Sequence, residues 1–198
     1  MGDMKKGEAT KKRIVRSATV LIHKNGYKNT SVDDILKDCD VTKGSFYFHF
    51  RNKDEVAKAA AELFYSHMKR NMLDVMDDEG PGAVDAVSRM LDIITENMER
   101  SGCTGGCLLG NMALEVSDFN EEVREKLAVI FVDFRERLKA VVERGQAAGE
   151  IRRDREAGEL ANFIVAVIEG GLLLAKVMKY IVPLRDAKEQ ALTFLRPE

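Results

Sequence analysis

The sequence predicts an all-α protein of about nine helices, on three observations. Proline is scarce, 3 of 198 residues, while the strong helix formers Ala, Glu, Leu, Lys, Arg and Met abound. Apolar residues recur at the helical period through most of the chain. No internal repeat or low-complexity segment interrupts that pattern. With 45% hydrophobic residues, a chain of this length can bury a sizeable core, and disorder is excluded as the dominant state.

Residues 1–7 read as a disordered arm, polar and without the apolar core of a signal peptide. The first helix carries Ile14, Ala18, Leu21 and Ile22 on one face and stops at Asn25-Gly26. Ser31 and Asp34 resemble a capping box and open a short second helix with Val32, Ile35 and Leu36 inside, ending near Cys39-Asp40. Thr42 can cap a third helix reaching about Phe48, and Asn52 a fourth running from Lys53 to about Met76.

The run Asp77-Asp78-Glu79-Gly80-Pro81-Gly82 breaks the pattern, with Pro81 suited to the first turn of a fifth helix. That helix carries Val84, Val87, Leu91, Ile94 and Met98. Gly102, Gly105 and Gly106 make Ser101–Gly106 a flexible loop before an apolar helix from Cys107 to Val116. A long helix, Glu121 to Ala147, turns Val123, Leu127, Ile130, Phe131, Phe134, Leu138 and Val142 inward and ends at Gly149. Two more follow, Arg155 to about Tyr180 and Leu184 to Leu195, separated by Pro183. The domain reading is a head at 8–53, a connecting helix at 54–76 and a larger domain at 77–198.

Charge is unevenly spread. Residues 1–53 hold twelve Lys and Arg against six Asp and Glu, a net +6, while residues 54–198 net −8. A basic head on an acidic body suggests that only the head meets a polyanion. The longest apolar run, Phe163–Ala175, contains Glu169 and is too short to span a bilayer, so no membrane partner is expected. Three cysteines, an odd number, point to a reducing cytoplasm without a disulfide framework. His23, His49 and His67 show no ligand spacing with them, and neither metal nor cofactor is expected.

The two short helices around Asp40 make a helix-turn-helix. The second begins Thr42-Lys43-Gly44-Ser45, small or basic residues where such a helix approaches base edges. Gly44 leaves room for the duplex and Lys43 can serve a phosphate or a guanine edge. Phe46 and Phe50, four apart, suit inward packing. Lys53 sits in the first turn of the next helix, whose free N–H groups can hold a phosphate.

This arrangement resembles the TetR family of bacterial transcriptional regulators, specifically over residues 8–68 and more loosely over the whole chain. The resemblance implies a homodimer on a double-stranded DNA operator, with a three-helix head and a C-terminal domain for ligand and dimerisation. By position it implies DNA contacts at Ser31, Thr42, Lys43, Gly44, Ser45, Tyr47, His49 and Lys53. A purely structural role for His49 stays open.

Cys103 and Cys107 bracket Thr104-Gly105-Gly106. A helix N-terminus favours the thiolate of Cys107, and the loop would let Cys103 resolve an oxidised Cys107. The run Gly106-Cys107-Leu108-Leu109-Gly110-Asn111 is similar to a NemR-like TetR subgroup of electrophile-sensing and acrylate-responsive repressors. That likeness implies a sensing thiol at Cys107; an inert Cys107 beside an ordinary pocket is the competing reading. Candidate pocket residues are Met90, Ile94, Met98, Met112, Phe131, Phe134 and Phe163, an apolar set suited to a small hydrophobic or electrophilic effector. Candidate dimer residues are Phe163, Val167, Gly170, Gly171, Leu172 and Val177, with the glycines allowing close approach.

The function expected is therefore a repressor released by such an effector, either through Cys107 or by reversible binding. A thiol-dependent enzyme is the distant alternative: no base partner for Cys107, metal motif or nucleotide loop is visible.

Overall fold

The computed structural model describes residues 2–76 and 82–197, and the described residues are helical without a strand. The expectation at Pro81 lies outside them. The helices are α1 (Gly2–Asn25), α2 (Val32–Cys39), α3 (Lys43–His49), α4 (Lys53–Met68), α5 (Ala83–Arg100), α6 (Leu108–Val116), α7 (Glu121–Ala148), α8 (Ala157–Met178) and α9 (Val182–Leu195).

They form two compact units. One comprises the chain to His67 with Leu108–Ile130, the other Met68–Cys107 with the chain from Phe131 onward. The head is thus packed with α6 and the start of α7, which a reading along the chain assigns to the larger domain.

In the first unit, α1 runs from Gly2, so residues 2–7 of the stretch read as a disordered arm are helical. It holds no proline, and Glu8 pairs with Lys12 one turn on at 2.8 Å. Ile14, Ala18 and Ile22 are buried, as the stripe requires. Gly26 takes φ +88°, the left-handed geometry that lets the chain leave the helix. Ser17 then ties α1 to α2, donating to Asp38 at 2.6 Å and to the Ile35 carbonyl at 3.3 Å. The Ser31–Asp34 capping box is present in both directions.

The second unit is built on α8 and α9, with α5 against both. Ala157, Leu160, Ile164, Ile168, Leu172 and Ala175 of α8 are buried along one side. By length and composition the whole of α8 could cross a membrane, which its central run alone did not suggest. Its inner side is packed on protein instead. Glu150 accepts from the Ala83 N–H at 2.6 Å and so caps α5 with a carboxylate.

The fourth helix does not stay α-helical to Met76. It widens into a π turn at Lys69–Leu73 and tightens to 3-10 at Asp74–Met76. Side chains from α7 hold this irregular backbone. Lys69 meets Asp133 at 3.5 Å, Arg137 lies 3.9 Å from Asp74, and Arg144 donates to the Met76 carbonyl at 2.9 Å. Pro183 lies within the first turn of α9 rather than before it, a position where its missing N–H costs nothing.

Candidate nucleic-acid interface and thiol site

Helix α3 has only seven residues, so its ends must be fixed by side chains. Thr42 Oγ1 accepts from the Ser45 N–H at 3.3 Å at one end, and the Phe50 N–H donates to the Phe46 carbonyl at the other. Phe46 is fully buried and Phe50 nearly so, their rings 5.7 Å apart. That inner pair seats α3 and turns the opposite side to solvent. Thr42, Lys43, Gly44 and Tyr47 are exposed there, with Ser45 and His49 partly so. A Cβ on Gly44 would meet nothing within 4 Å, so the space directly above it is open.

Ser31 is exposed at the N-terminus of α2. Lys43 makes only an exposed 3.8 Å pair with Asp33, which binding to a phosphate can replace at small cost. Asn52 caps α4, accepting from the Glu55 N–H at 2.9 Å. Lys53 is half-buried, its ammonium 4.1 Å from the Tyr27 ring centroid, and that burial lowers its pKa.

Two features of this unit escaped the sequence reading. Phe48 is 82% exposed beside Tyr47 and His49. An apolar ring so placed costs solvation energy in the free protein and suits a thymine methyl. Its exposure follows from its helical position between the inward Phe46 and Phe50, a signal the sequence did contain. The other is Glu115 of α6, which accepts from the Lys28 N–H at 2.8 Å in the α1–α2 turn. Its carboxylate also closes on Gly26, where a Cβ would come within 2.6 Å of it. Beside it, the Tyr27 hydroxyl donates to Asp54, and Lys28 lies over the Phe119 ring at 4.8 Å. Lys58 meets Glu122 at 2.7 Å, and Lys126 pairs with Glu62. The head is thereby clasped to α6 and the start of α7.

In the second unit, Ser101–Gly106 is a closed, hydrogen-bonded turn. Ser101 Oγ donates to the Met98 carbonyl at 2.8 Å, Thr104 Oγ1 to the Ser101 carbonyl at 2.6 Å, and the Gly106 N–H to the Thr104 carbonyl at 2.9 Å. Cys103 is buried within it, at φ +54°, and its carbonyl faces Lys179 Nζ at 3.5 Å. Cys107 is partly exposed, directly before the first residue of α6, and neither cysteine is in a disulfide. The flexible loop expected from its glycines is instead tied by these bonds.

Glu169 of α8 is hydrogen-bonded to the Cys107 side chain. Burial pushes the Glu169 pKa up, against the opposite pull of that bond. This carboxyl is the partner for Cys107 that inspection of the sequence did not find. Glu169 also lines a groove of about 270 Å³ between α7 and α8, with Phe131, Val132, Arg135, Asn162, Val165 and Ala166. Arg135 Nε is buried there without a hydrogen-bond partner, while its outer nitrogen pairs with Glu136.

Of the residues expected around an effector, Phe131 alone lines this groove. Met90, Ile94, Met98, Met112 and Phe134 are buried core, and Phe163 is half-buried against Phe194, ring centroids 4.8 Å apart. The residues expected at a dimer interface also divide. A Cβ on Gly171 would lie 2.8 Å from Leu184 Cδ1, so its close approach is to α9 of the same protomer, and Leu172 is buried beside it. Val177 is 70% exposed, Val167 half-buried, and Gly170 open. Leu173, Leu174 and Met178 join Val177 in an exposed apolar surface.

Comparison with known proteins agrees with this geometry. Residues 14–60 match the profile of bacterial regulatory proteins of the tetR family, and residues 83–191 match the tetracyclin repressor-like C-terminal domain. The chain is 29% identical to the HTH-type transcriptional repressor DhaR of Mycobacterium sp. (strain GP1), over 88% of this chain and 86% of that one. It is 32% identical to the transcriptional regulator AcuR of Cereibacter sphaeroides, over 83% and 75%. The reduced form of NemR from E. coli superposes with a TM-score of 0.87 over 93% of this chain and 97% of that one. At 22% identity it speaks for the fold alone. The helix-turn-helix and the helical domain behind it together place this chain in the TetR family, as a DNA-binding transcriptional regulator.

Proposed function

We propose that the protein is a cytoplasmic, homodimeric repressor that leaves its operator when a small apolar or electrophilic effector reaches its second unit. The observation that carries this reading is the outward face of α3, where Lys43, Gly44 and Tyr47 stand clear of the core. Ser31, Thr42, Ser45, His49 and Lys53 flank them and fit phosphate contacts that fix the register, while α3 itself reads base edges in the major groove. Two half-sites ~34 Å apart call for two heads. The exposed Leu173, Leu174, Val177 and Met178 of α8 fit the second copy. DhaR, named as a repressor, supports that sign of regulation. The reading leaves no reaction for the protein to turn over.

Cys107 is the effector's point of entry in this account. It is covalently joined to Leu108, the first residue of α6, and Glu115 of α6 holds the α1–α2 turn of the head. Modification that shifts α6 shifts the clasp, and the effector acts only through its different affinity for the bound and released states. A reversible ligand in the α7–α8 groove is the second reading, favoured by the apolar walls of Phe131, Val132, Val165 and Ala166.

Fluorescence anisotropy with duplex DNA from upstream of the protein's own gene tests the proposal. Tight binding that weakens steeply with salt is expected. Failure to bind any duplex in an unbiased operator selection would overturn it.

A further inference from the structure

We propose that Glu169 is the base that removes the Cys107 proton when the thiol adds to an uncharged α,β-unsaturated carbonyl compound. This inference rests on the sensing role given to Cys107 above.

Several observations meet at this carboxyl. It is the hydrogen-bond partner of the Cys107 side chain, which puts an acceptor beside the thiol proton. It also forms part of the groove wall, so the same residue meets the thiol and borders an open groove of about 270 Å³. That wall is apolar at Phe131, Val132, Val165 and Ala166, which favours an uncharged occupant. Arg135 lines the same groove, and its guanidinium places a cation beside the oxygen of a polarised carbonyl bound there. Burial raises the proton affinity of Glu169 above that of a solvated carboxylate, which suits a base working on a thiol.

The charged and titratable groups around it come from three places. Cys107 faces it from the turn before α6, and Arg135 from α7. Lys176 lies further along α8, its Cδ 3.4 Å from where a Cβ of Gly106 would stand.

The step balances without an oxidant. The Sγ–H bond of Cys107 breaks and its proton passes to a Glu169 oxygen. The sulfur electron pair forms a bond to the β-carbon, and the alkene π pair moves toward the carbonyl oxygen. The enolate then takes the proton back from Glu169 at its α-carbon. The net change is addition of S–H across C=C, with Glu169 restored.

N-ethylmaleimide is a suitable uncharged probe. Its second-order rate of addition to Cys107 would be followed against pH by site-resolved mass spectrometry, on full-length wild type and Glu169→Gln. The wild-type rate should be nearly flat between ionisation of Glu169 and ionisation of the thiol. In Glu169→Gln it should climb with pH throughout, and fall below wild type by on the order of 10–100-fold at neutral pH. An unchanged profile, or faster reaction at neutral pH, would overturn the proposal, since removing a nearby negative charge merely eases thiolate formation. Should Glu169→Gln misfold, the wild type alone decides: a normal solvent isotope effect in deuterium oxide is expected, and none would refute proton transfer in the rate-limiting step. An unmodified Cys107 would also refute the proposal. Operator binding measured on the same samples separates the two claims. DNA retained by the alkylated protein would end the sensing role and leave the chemistry of Glu169 standing.

Discussion

Helices α3 and α8 both turn apolar side chains to solvent, and for different reasons. On α3 the exposed rings, Tyr47 and Phe48, sit among Lys43, Ser45 and His49. On α8 the exposed run of Leu173, Leu174, Val177 and Met178 is aliphatic and uncharged. Mixed aromatic and basic character fits a nucleic acid, whose backbone demands cations and whose bases offer methyls and edges. An uncharged aliphatic surface fits another protein surface of the same kind. The opposite face of each helix is what makes its outer face available. Phe46 and Phe50 anchor α3, and Ile164, Ile168 and Gly171 anchor α8.

Substitutions that separate inner from outer faces sharpen this contrast. The largest effect is expected from Phe46→Ala, which empties a fully buried site and should cost about 3–5 kcal/mol in thermal or denaturant unfolding. DNA binding should fall with it. A stable Phe46→Ala would mean that α3 is not held by its inner pair. Next comes Gly171→Ala, whose new methyl meets Leu184 and should destabilise the protein by about 1–3 kcal/mol. Gly170→Ala, with open space around it in the protomer, should hold or raise protomer stability by at most about 1 kcal/mol through helix propensity, and weaken only subunit association in sedimentation experiments.

On the outer face of α3, Lys43→Ala should spare stability and weaken operator binding. The slope of log affinity against log salt should lose about 0.9. An unaltered slope would remove Lys43 from the phosphate contacts. Gly44→Ala should likewise do no harm to stability. Its methyl meets nothing and adds helix propensity, so the melting temperature should hold or rise, by at most about 1 kcal/mol in free energy. Operator affinity should drop nonetheless. Equal affinity for Gly44→Ala would show that the duplex does not approach α3 at that point.

The same contrast explains what could be read from sequence. Everything that shapes α3 is local: Thr42 reaches its own helix, and Phe46 and Phe50 follow from one turn of spacing. The capping box at Ser31 and the cap at Asn52 are equally short-range. The thiol site is the reverse. Cys107 stood out as a candidate, yet its partner Glu169 belongs to a helix far along the chain, and no spacing rule connects them. Glu115 was hidden for the same reason, its carboxylate being committed to a turn near the other end of the chain. Gly171 illustrates the ambiguity of a small residue in an apolar helix. Its position permits close packing, and only the fold shows that the neighbour is α9 of the same chain. The π turn at Lys69–Leu73 has no signature in the local sequence, and the ion pair it makes with α7, Lys69 to Asp133, is long-range as well.

In the proposed mechanism, modification of Cys107 releases the operator. Its most direct test is the anisotropy of labelled operator bound to wild type and to Cys107→Ser, before and after N-ethylmaleimide. Equal affinity of the two untreated proteins is predicted, with release on treatment in the wild type alone. Release of Cys107→Ser to the same extent, or a wild type alkylated at Cys107 that stays on the DNA, would contradict it.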